Sequence, residues 1–525
     1  MERVELRPPS TDVAARADAY AAAPLLNCLI REVARPCPDP CPDRQGQPGG
    51  QWDGRRDGRH TYRLPGGGRL LRVRAGRRPA EPEVYAAGAW HRVDHTELVK
   101  LVAEELRRHT GLTNDELPAE MLDSREAVAA LLAARDTVPP PADPYTRSEQ
   151  SLVTGHPCHP APKARGGGPV ASWLPYAPEA HARFPLVLLG VRADLAVEEG
   201  DTSALDALGQ APPGYRLLPA HPWQLDLAAP DLAGAFADGR LIRLGTTAFE
   251  VRPTAAIRTV HAPAPGGDLF LKFSLDVRIT NDVRRLWRHD LLRLRRTDAA
   301  VTAAFARLGG PAAWLSDRGY RTAAFAFEQL AVVVRDGLEQ HLPPGTTALL
   351  AAALAEGFDG TPLDGPVDPA VWWTAYLRQT VPPALGAFAD HGVVLEAHLQ
   401  NSVIAVDADG LPVGALFRDA EGVKLLPEVS RAAGWERLVY CLIVNHLAEI
   451  AAALAAHHPG FDPWPAVRAE LARHALPEIP ALLASPTLPG KTNLLLRWTS
   501  ADGAAARYHP LPNPLADGPP PAGGH

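Results

Sequence analysis

The chain has 525 residues, enough for two to four domain-sized units. Apolar residues make up 46% and charged residues 22%, which excludes a wholly disordered chain. A net charge of −7 excludes a global polyanion-binding surface, so nucleic acid is not an expected partner and any phosphate needs a local cluster of cations.

In chain order, Pro24–Val33 carries apolar residues at helical spacing. Arg35–Gly58 is rich in Pro, Gly, Asp and Arg and reads as a loop or mobile excursion. Alternation on either side of Gly66–Gly68 predicts a β-hairpin. Asp94–His109 and Glu126–Arg135 read as amphipathic helices, and the prolines of Thr137–Tyr145 as a hinge before the central part. Phe184–Val197 and Asp268–Thr280 read as strands, and Asn281–Arg296 as a helix. From about Trp372 the chain is mostly helical. A hairpin over Ser402–Asp419 interrupts it, with Asp409-Gly410 in the turn. Residues 516–525 read as a disordered tail. Aromatic residues are only 6%, so cores of Leu, Val and Ala are expected. Five cysteines in so long a chain do not form a disulfide framework, which fits a reducing cytoplasm. The start has no signal-peptide core, and Ala348–Ala355 is too short to span a bilayer, so no membrane attachment is expected.

Three segments concentrate chemistry. The first is Lys272–Arg284. Lys272 projects from a strand, Thr280 or Asn281 can cap the predicted helix, and Arg284 shares a face with Thr280. A strand lysine, a helix start and a first-turn arginine form a phosphate cradle, though caps of this kind are also common structural devices. The further arginines, Arg285 to Arg296, read as a solvated face. The second segment is Gly392–Gly422. Glu396, His398, Gln400 and Asn401 precede one hairpin strand and Asp419 follows the other, so Asn401 and Asp419 meet at the hairpin base. Such oxygens suit Mg²⁺ bridging nucleotide phosphates, with Arg418 and His398 able to meet the same phosphates. The alternative is a polar hairpin base whose side chains satisfy one another.

The third segment is Gly155–Gly168, an extended loop because His156 and His159 each precede proline. It presents Lys163 and Arg165 to a carboxylate or phosphate, or it is a loop pinned by satisfied histidines. A zinc site from His156, Cys158 and His159 would need Cys37 and Cys41, at a spacing that fits no common finger. The His221-Pro222-Trp223 turn reads as structural. Gly490–Trp498 resembles a P-loop only superficially: no second glycine stands five residues earlier, and the preceding residues do not read as a strand.

Together these segments resemble one family. GHPCHPAPKAR from Gly155, AHPWQ from Ala220, RPTAAIRTV from Arg252 and LKFSLDVRITNDVRRL from Leu271 stand in its order. LEAHLQNSVIA from Leu395, FRDAEG from Phe417 and KTNLLLRW from Lys491 follow, and LLNCLIRE from Leu25 and YCLIVNHL from Tyr440 also match. From about Leu25 to Leu515 the chain is similar to the aerobactin-synthetase-type siderophore synthetases, which act independently of nonribosomal peptide synthetases.

The resemblance implies an α+β cupped hand. A thumb covers residues 1–143, phosphate-binding fingers with an antiparallel sheet cover 144–371, and a mainly helical palm for metal and nucleotide covers 372–525. It implies ATP and Mg²⁺, activation of a carboxylate of citrate or a related polycarboxylate as its acyl-adenylate, and attack by an amine or, less often, a hydroxyl. It also implies a cytoplasmic homodimer. By position, Arg258, Thr259, Lys272, Thr280 and Arg284 match phosphate contacts. Glu396, His398, Gln400, Asn401 and Asp419 match the nucleotide set, with Glu396, Asn401 and Asp419 as metal ligands. His156, Lys163, Arg165 and Lys491 match contacts to the acid or α-phosphate. Lys272, Arg284 and His398 form the catalytic group. One departure stands out: Ala255 and Ala256 occupy positions where the family commonly has two serines. A kinase-like phosphotransferase and a degenerate nucleotide-binding homologue are the alternative readings.

Overall fold

The computed structural model describes residues 11–37, 55–56, 58–264, 267–501 and 508–516. Most of the Arg35–Gly58 excursion, with Cys41, and the tail beyond Ala516 lie outside the described residues.

The first helix is longer than its apolar run. It spans Thr11–Glu32 and buries Leu25, Leu26 and Leu29. The glycine-centred hairpin forms as expected, with Arg59–Arg63 paired to Leu70–Arg74 inside a six-stranded antiparallel sheet. Helix His95–Thr110 starts at a capping box of Asp94 and Glu97 and stops at Gly111, whose φ of 73° only glycine adopts without strain. The next helix starts at Glu116 rather than Glu126. Its first half buries Leu117, Met121 and Ser124 at helical spacing, but only two of them are apolar, which weakens the signal in the sequence.

The central part holds two antiparallel sheets. The larger runs in the order Arg252–Pro253, Thr259–Ala264, Gly267–Phe273, Val332–Asp336, Asp317–Ala323, Ala196–Gly200. The smaller runs Leu241–Thr246, Val187–Arg192, Tyr215–Ala220. Leu269, Leu271 and Phe273 fill the core between them with Val332 and Val334. Period-two alternation then sends Phe270 and Lys272 to the opposite face. Register sets Thr259 opposite Lys272 and Arg335 opposite Phe270, so Thr259, Lys272 and Arg335 share that face.

The expected helix over Asn281–Arg296 is not formed at its start. Arg278–Ile279 and Asp282–Val283 make a short hairpin, with Thr280 at φ 62° in its turn. The chain stays extended because Leu275 N–H donates to Arg284 O at 2.8 Å and Arg284 N–H to Val277 O at 3.0 Å. Asp276 also takes the Arg285 guanidinium through both oxygens. The helix begins only at Arg288 and runs to Leu308. Its arginines are not one solvated face, since Arg293 donates to the carbonyls of Glu421 and Val423, both at 3.1 Å.

In the C-terminal part, helices Arg288–Leu308 and Pro369–His391 pack on a four-stranded sheet ordered Ala312–Leu315, Pro412–Arg418, Ser402–Val406, Thr347–Leu350. The predicted hairpin is its centre. Asp407 closes the turn by accepting from the N–H groups of Asp409 and Leu411. Aromatic side chains matter more here than their number suggested: Tyr376 stacks between Trp372 and Trp373, all buried. The continuous helix Arg431–His457 contains a π-helical stretch, Val439–Leu447. Among the described residues it alone is long and apolar enough to cross a membrane, and 72% of its apolar window is buried inside the molecule.

The chain then returns to its beginning. Leu494 and Trp498 of helix Asn493–Trp498 join Leu25 and Leu98 in one core. Glu32 accepts from the N–H groups of Leu494 and Leu495 at 3.0 and 2.8 Å, satisfying that helix start. Thr487–Lys491, expected not to be a strand, pairs with Tyr508–Pro512. Pro489 and Gly490 hide its strand character in the sequence.

Candidate active site

A cavity of about 310 Å³ lies between the cationic face of the large central sheet, the base of the C-terminal hairpin and the Gly155–Arg165 loop. Eight Lys and Arg residues line it, against four Asp and Glu. Backbone strain converges on it as well. Of seven non-glycine residues with positive φ among those described, Ile257 (59°), Thr280 (62°) and Asp419 (85°) line this cavity. A β-branched residue in that region costs on the order of 1–3 kcal/mol, so the surroundings must impose it.

The sheet face supplies the central charges. Lys272 donates to Asp419 and, at 2.7 Å, to Glu421. Arg335 bridges Asp317 and Asp419, at 2.7 and 3.0 Å. Arg258 donates to Glu421 at 3.1 Å and to the carbonyls of Arg284 and Arg285 at 3.0 and 3.3 Å. Burial favours the neutral form of Asp419, yet Lys272 and Arg335 outweigh it and hold this carboxyl far below the usual carboxylate range. Glu421 behaves alike: burial opposes ionisation, but Arg258 and Lys272 hold it at about 2.

Arg284 is the exception. Its guanidinium donates to Thr280 Oγ1 at 2.5 Å and has no carboxylate partner among the described residues. Burial lowers its pKa, and the neighbouring Arg258 lowers it further. An enclosed cation without a counter-ion favours an incoming anion. The tip that carries Thr280 is held by Asn281, whose side chain meets Asn493 at 3.1 Å and His159 at 3.2 Å. Thr280 and Arg284 thus share a side, as expected, through a hairpin and not a helix start.

The hairpin base brings His398, Gln400, Asn401, Arg418 and Asp419 to the same cavity. Arg418 is pinned to Glu149 at 2.6 Å and to the Gln400 carbonyl at 2.8 Å. His398 is pushed toward the neutral form by burial. Its Nε2 accepts from the Asn401 amide at 3.3 Å, which leaves the amide oxygen for other partners. Behind it, buried His446 accepts from Tyr376 O–H at 2.5 Å and donates to the Ala397 carbonyl at 2.7 Å. Burial depresses His446 to about 4, so it stays neutral and keeps that tautomer.

Asp419 with the amide oxygens of Gln400 and Asn401 is a hard-oxygen donor set and fits Mg²⁺. Glu396 does not join it. Its carboxylate is taken by Arg437 and packs against Gly422, outside the cavity lining. Among the described residues no group of three or more His, Cys, Asp or Glu is placed to hold a metal ion; Cys41 of the zinc set lies outside the described residues. Cys28, Cys158 and Cys441 are buried free thiols.

The Gly155–Arg165 loop contributes His156, Lys163 and Arg165. Both cations meet Glu179, Arg165 at 3.1 Å. Burial opposes ionisation of Glu179, but the two cations hold it at about 2. His156 is depressed to about 4, chiefly by burial. Lys491 is not in the lining; its Nζ sits 5.2 Å from the Tyr440 ring centroid. His221 caps a helix by accepting from Trp223 N–H at 3.2 Å, as the structural reading expected. Ala255 and Ala256 line the cavity, and the Ala255 N–H donates to Glu149 at 2.9 Å.

Several residues escaped the sequence reading. Arg335 follows three valines in the strand VVVRD, where a charge after an apolar run was the available signal. Glu421 was hidden as one of several acids, and Glu149 as part of a short helix. Arg77 and Glu449 come from segments with no motif and meet only in three dimensions.

Comparison with known proteins follows the same lines. Residues 144–356 match the IucA / IucC family, and residues 370–506 match a family described as ferric iron reductase FhuF-like transporter. The chain is similar to the L-2,3-diaminopropanoate–citrate ligase of Staphylococcus aureus, 30% identical over 71% of this chain and 75% of that one. A rhizobactin siderophore biosynthesis protein of Rhizobium meliloti is 29% identical over 68% and 72%. The fold of this chain is similar to that of ATP-bound aerobactin synthetase IucA from Klebsiella pneumoniae, with a TM-score of 0.76 at 22% identity over 95% of this chain and 100% of the other. Petrobactin biosynthesis protein AsbB of Bacillus anthracis also gives 0.76, at 17% identity over 96% of each chain.

Proposed function

We propose, from the premise that the chain belongs to the IucA / IucC family of siderophore synthetases, that it is an ATP-dependent ligase joining a carboxylate of citrate or a similar polycarboxylate to an amine. The observation that carries this reading is Arg284, an enclosed cation without a counter-ion, next to Lys272, Arg258 and Arg335 on one cavity wall. Relatives named as citrate ligases support the acid, and the neighbour described as ATP-bound supports the nucleotide. The corresponding architecture is a cupped hand of thumb, fingers and palm acting in the cytoplasm as a homodimer.

In this reading a carboxylate oxygen attacks the α-phosphorus of ATP. The bond to the β-phosphate oxygen breaks, and pyrophosphate leaves with the electron pair. Lys272, Arg258, Arg284 and Thr280 hold the departing charge, in positions fixed before the reaction. Lys163, Arg165 and His156 orient the acid, and holding both anions together removes an entropic barrier. Neutral His398 and Arg418 face the same space. Asp419, Asn401 and Gln400 would hold Mg²⁺, which neutralises phosphate charge when bound. An amine nitrogen then forms a bond to the acyl carbon, the acyl–oxygen bond breaks, AMP leaves, and the amine proton passes to water. No protein nucleophile takes part.

Hydroxylamine tests this. Incubated with ATP, Mg²⁺ and citrate, the protein should yield citryl hydroxamate and pyrophosphate without any natural amine. Lack of hydroxamate across a panel of small polycarboxylates would overturn the proposal.

A further inference from the structure

The cavity has a second pole that activation of the acid does not use. Arg77 stands there, in the turn between strands Leu70–Arg74 and Ala80–Ala86. Its Nε donates to Glu449 Oε2 at 2.9 Å, and its Nη1 donates to the carbonyl of Ala355, near the end of helix Ala351–Glu356. Arg78 donates to the Glu356 carbonyl at 2.6 Å, and Asn27 donates to the Arg77 carbonyl at 3.2 Å. The turn is therefore clamped, and the guanidinium is fixed in orientation.

Two valences stay open. Arg77 Nη2 and Glu449 Oε1 have no protein partner among the described residues, and both side chains line the cavity. Their side chains keep 18% and 16% of their exposure, so neither is sealed away. Glu356, the other acid on this wall, is already spent, accepting from the N–H groups of Thr154 and Gly155 at 2.6 and 3.3 Å. A fixed guanidinium edge takes a carboxylate, and a carboxylate oxygen beside it takes an ammonium. The pair thus complements a zwitterion.

We propose that Arg77 and Glu449 form the nucleophile subsite and select an amino acid that carries a second amine. The α-carboxylate meets Arg77 and the α-ammonium meets Glu449. The second amine, unprotonated, supplies the lone pair that forms the C–N bond as AMP departs. This assignment rests on the ligase reading of the same cavity. It also gives the N-terminal part a direct role: it contributes one half of the clamp and the C-terminal helix contributes the other. A diamine lacking the carboxylate leaves Arg77 unpaired, and sites built on polar pairing reject such analogues strongly.

The test compares L-2,3-diaminopropanoate with ethylenediamine as co-substrates for citrate-dependent pyrophosphate release. Wild type should favour the diamino acid in kcat/KM by at least about tenfold, the value of one charge-assisted hydrogen bond. Arg77→Ala should bring that ratio near one, and Arg77→Lys should restore part of it. Because Arg77 also anchors its turn, Glu449→Gln serves as a second variant and should raise KM for the diamino acid about tenfold. A wild type indifferent to the carboxylate, or a ratio unchanged in Arg77→Ala, overturns the subsite and leaves the ligase reading intact. If wild type releases no pyrophosphate with any pair, the ligase reading fails. The nucleophile role falls with it, and calorimetry decides the recognition that remains: L-2,3-diaminopropanoate binding that is lost in Arg77→Ala upholds the zwitterion pair, and no binding to wild type removes it.

Discussion

Glu421 stands behind the cavity and aims two of its cations. Its carboxylate receives Lys272 at 2.7 Å and Arg258 at 3.1 Å, while the nearby Asp419 also holds Lys272. The two acids divide the work in the proposed reaction. Asp419 can leave Lys272 for a metal ion; Glu421 keeps Lys272 and Arg258 in place. Glu421→Ala removes the acceptor of two charge-assisted hydrogen bonds, worth about 1.5–3 kcal/mol each. Lys272 retains Asp419 and Arg258 retains two carbonyls, so only part of that is lost. A loss of about 2 kcal/mol follows, or roughly 30-fold in kcat/KM for ATP. Glu421→Gln keeps an acceptor of the same shape and should recover part of the rate. The assay is initial-rate pyrophosphate release against ATP concentration at saturating citrate and amine, with a thermal melt to verify folding. A folded Glu421→Ala protein with wild-type kcat/KM would refute the division of labour.

Arg284→Ala should cost about 2–4 kcal/mol of transition-state stabilisation in the same assay, because the neighbouring Lys272, Arg258 and Arg335 are already paired with carboxylates; wild-type turnover in the folded variant would remove its role. Ala256→Ser adds one hydroxyl to the wall of the proposed phosphate site and should gain about 0.5–1.5 kcal/mol in kcat/KM for ATP, whereas a fall in activity would show a pocket shaped around the methyl. His95 is buried with both ring nitrogens unpartnered, and burial depresses it from 6.5 to about 4. The unfolded chain therefore takes up a proton below about 6.5 while the folded one does not until about 4, so stability falls as pH drops through that window, by on the order of 3 kcal/mol. His95→Leu forfeits no hydrogen bond and should flatten the melting temperature between pH 7 and 4.5; an unchanged slope would contradict this.

Where the sequence was legible, local rules governed. The hairpins at Gly66–Gly68 and Asp409-Gly410 follow from turn chemistry and alternation, and the position of Lys272 follows from strand period. The base of the second hairpin gathered Asn401 and Asp419 as the pattern required. Around Thr280 local rules failed because tertiary hydrogen bonds outweighed helix propensity: Arg284 pairs with the backbone of Leu275 and Val277, and Asn281 is held by His159 and Asn493. Glu396 and Lys491 matched family positions, yet Arg437 and the Tyr440 ring draw them away from the cavity. Arg335, Glu421, Arg77 and Glu449 could not be read locally, because each gains its meaning from a partner far away in the chain.

The central claim is that the nucleotide is attacked at its α-phosphorus. Phosphorus NMR of a reaction containing ATP, Mg²⁺, citrate and a competent amine reads this directly. AMP and pyrophosphate should appear in equal amounts with the condensed product and be absent without the acid. ADP and inorganic phosphate accompanying product, with no AMP, would contradict the account and establish a phosphotransferase instead.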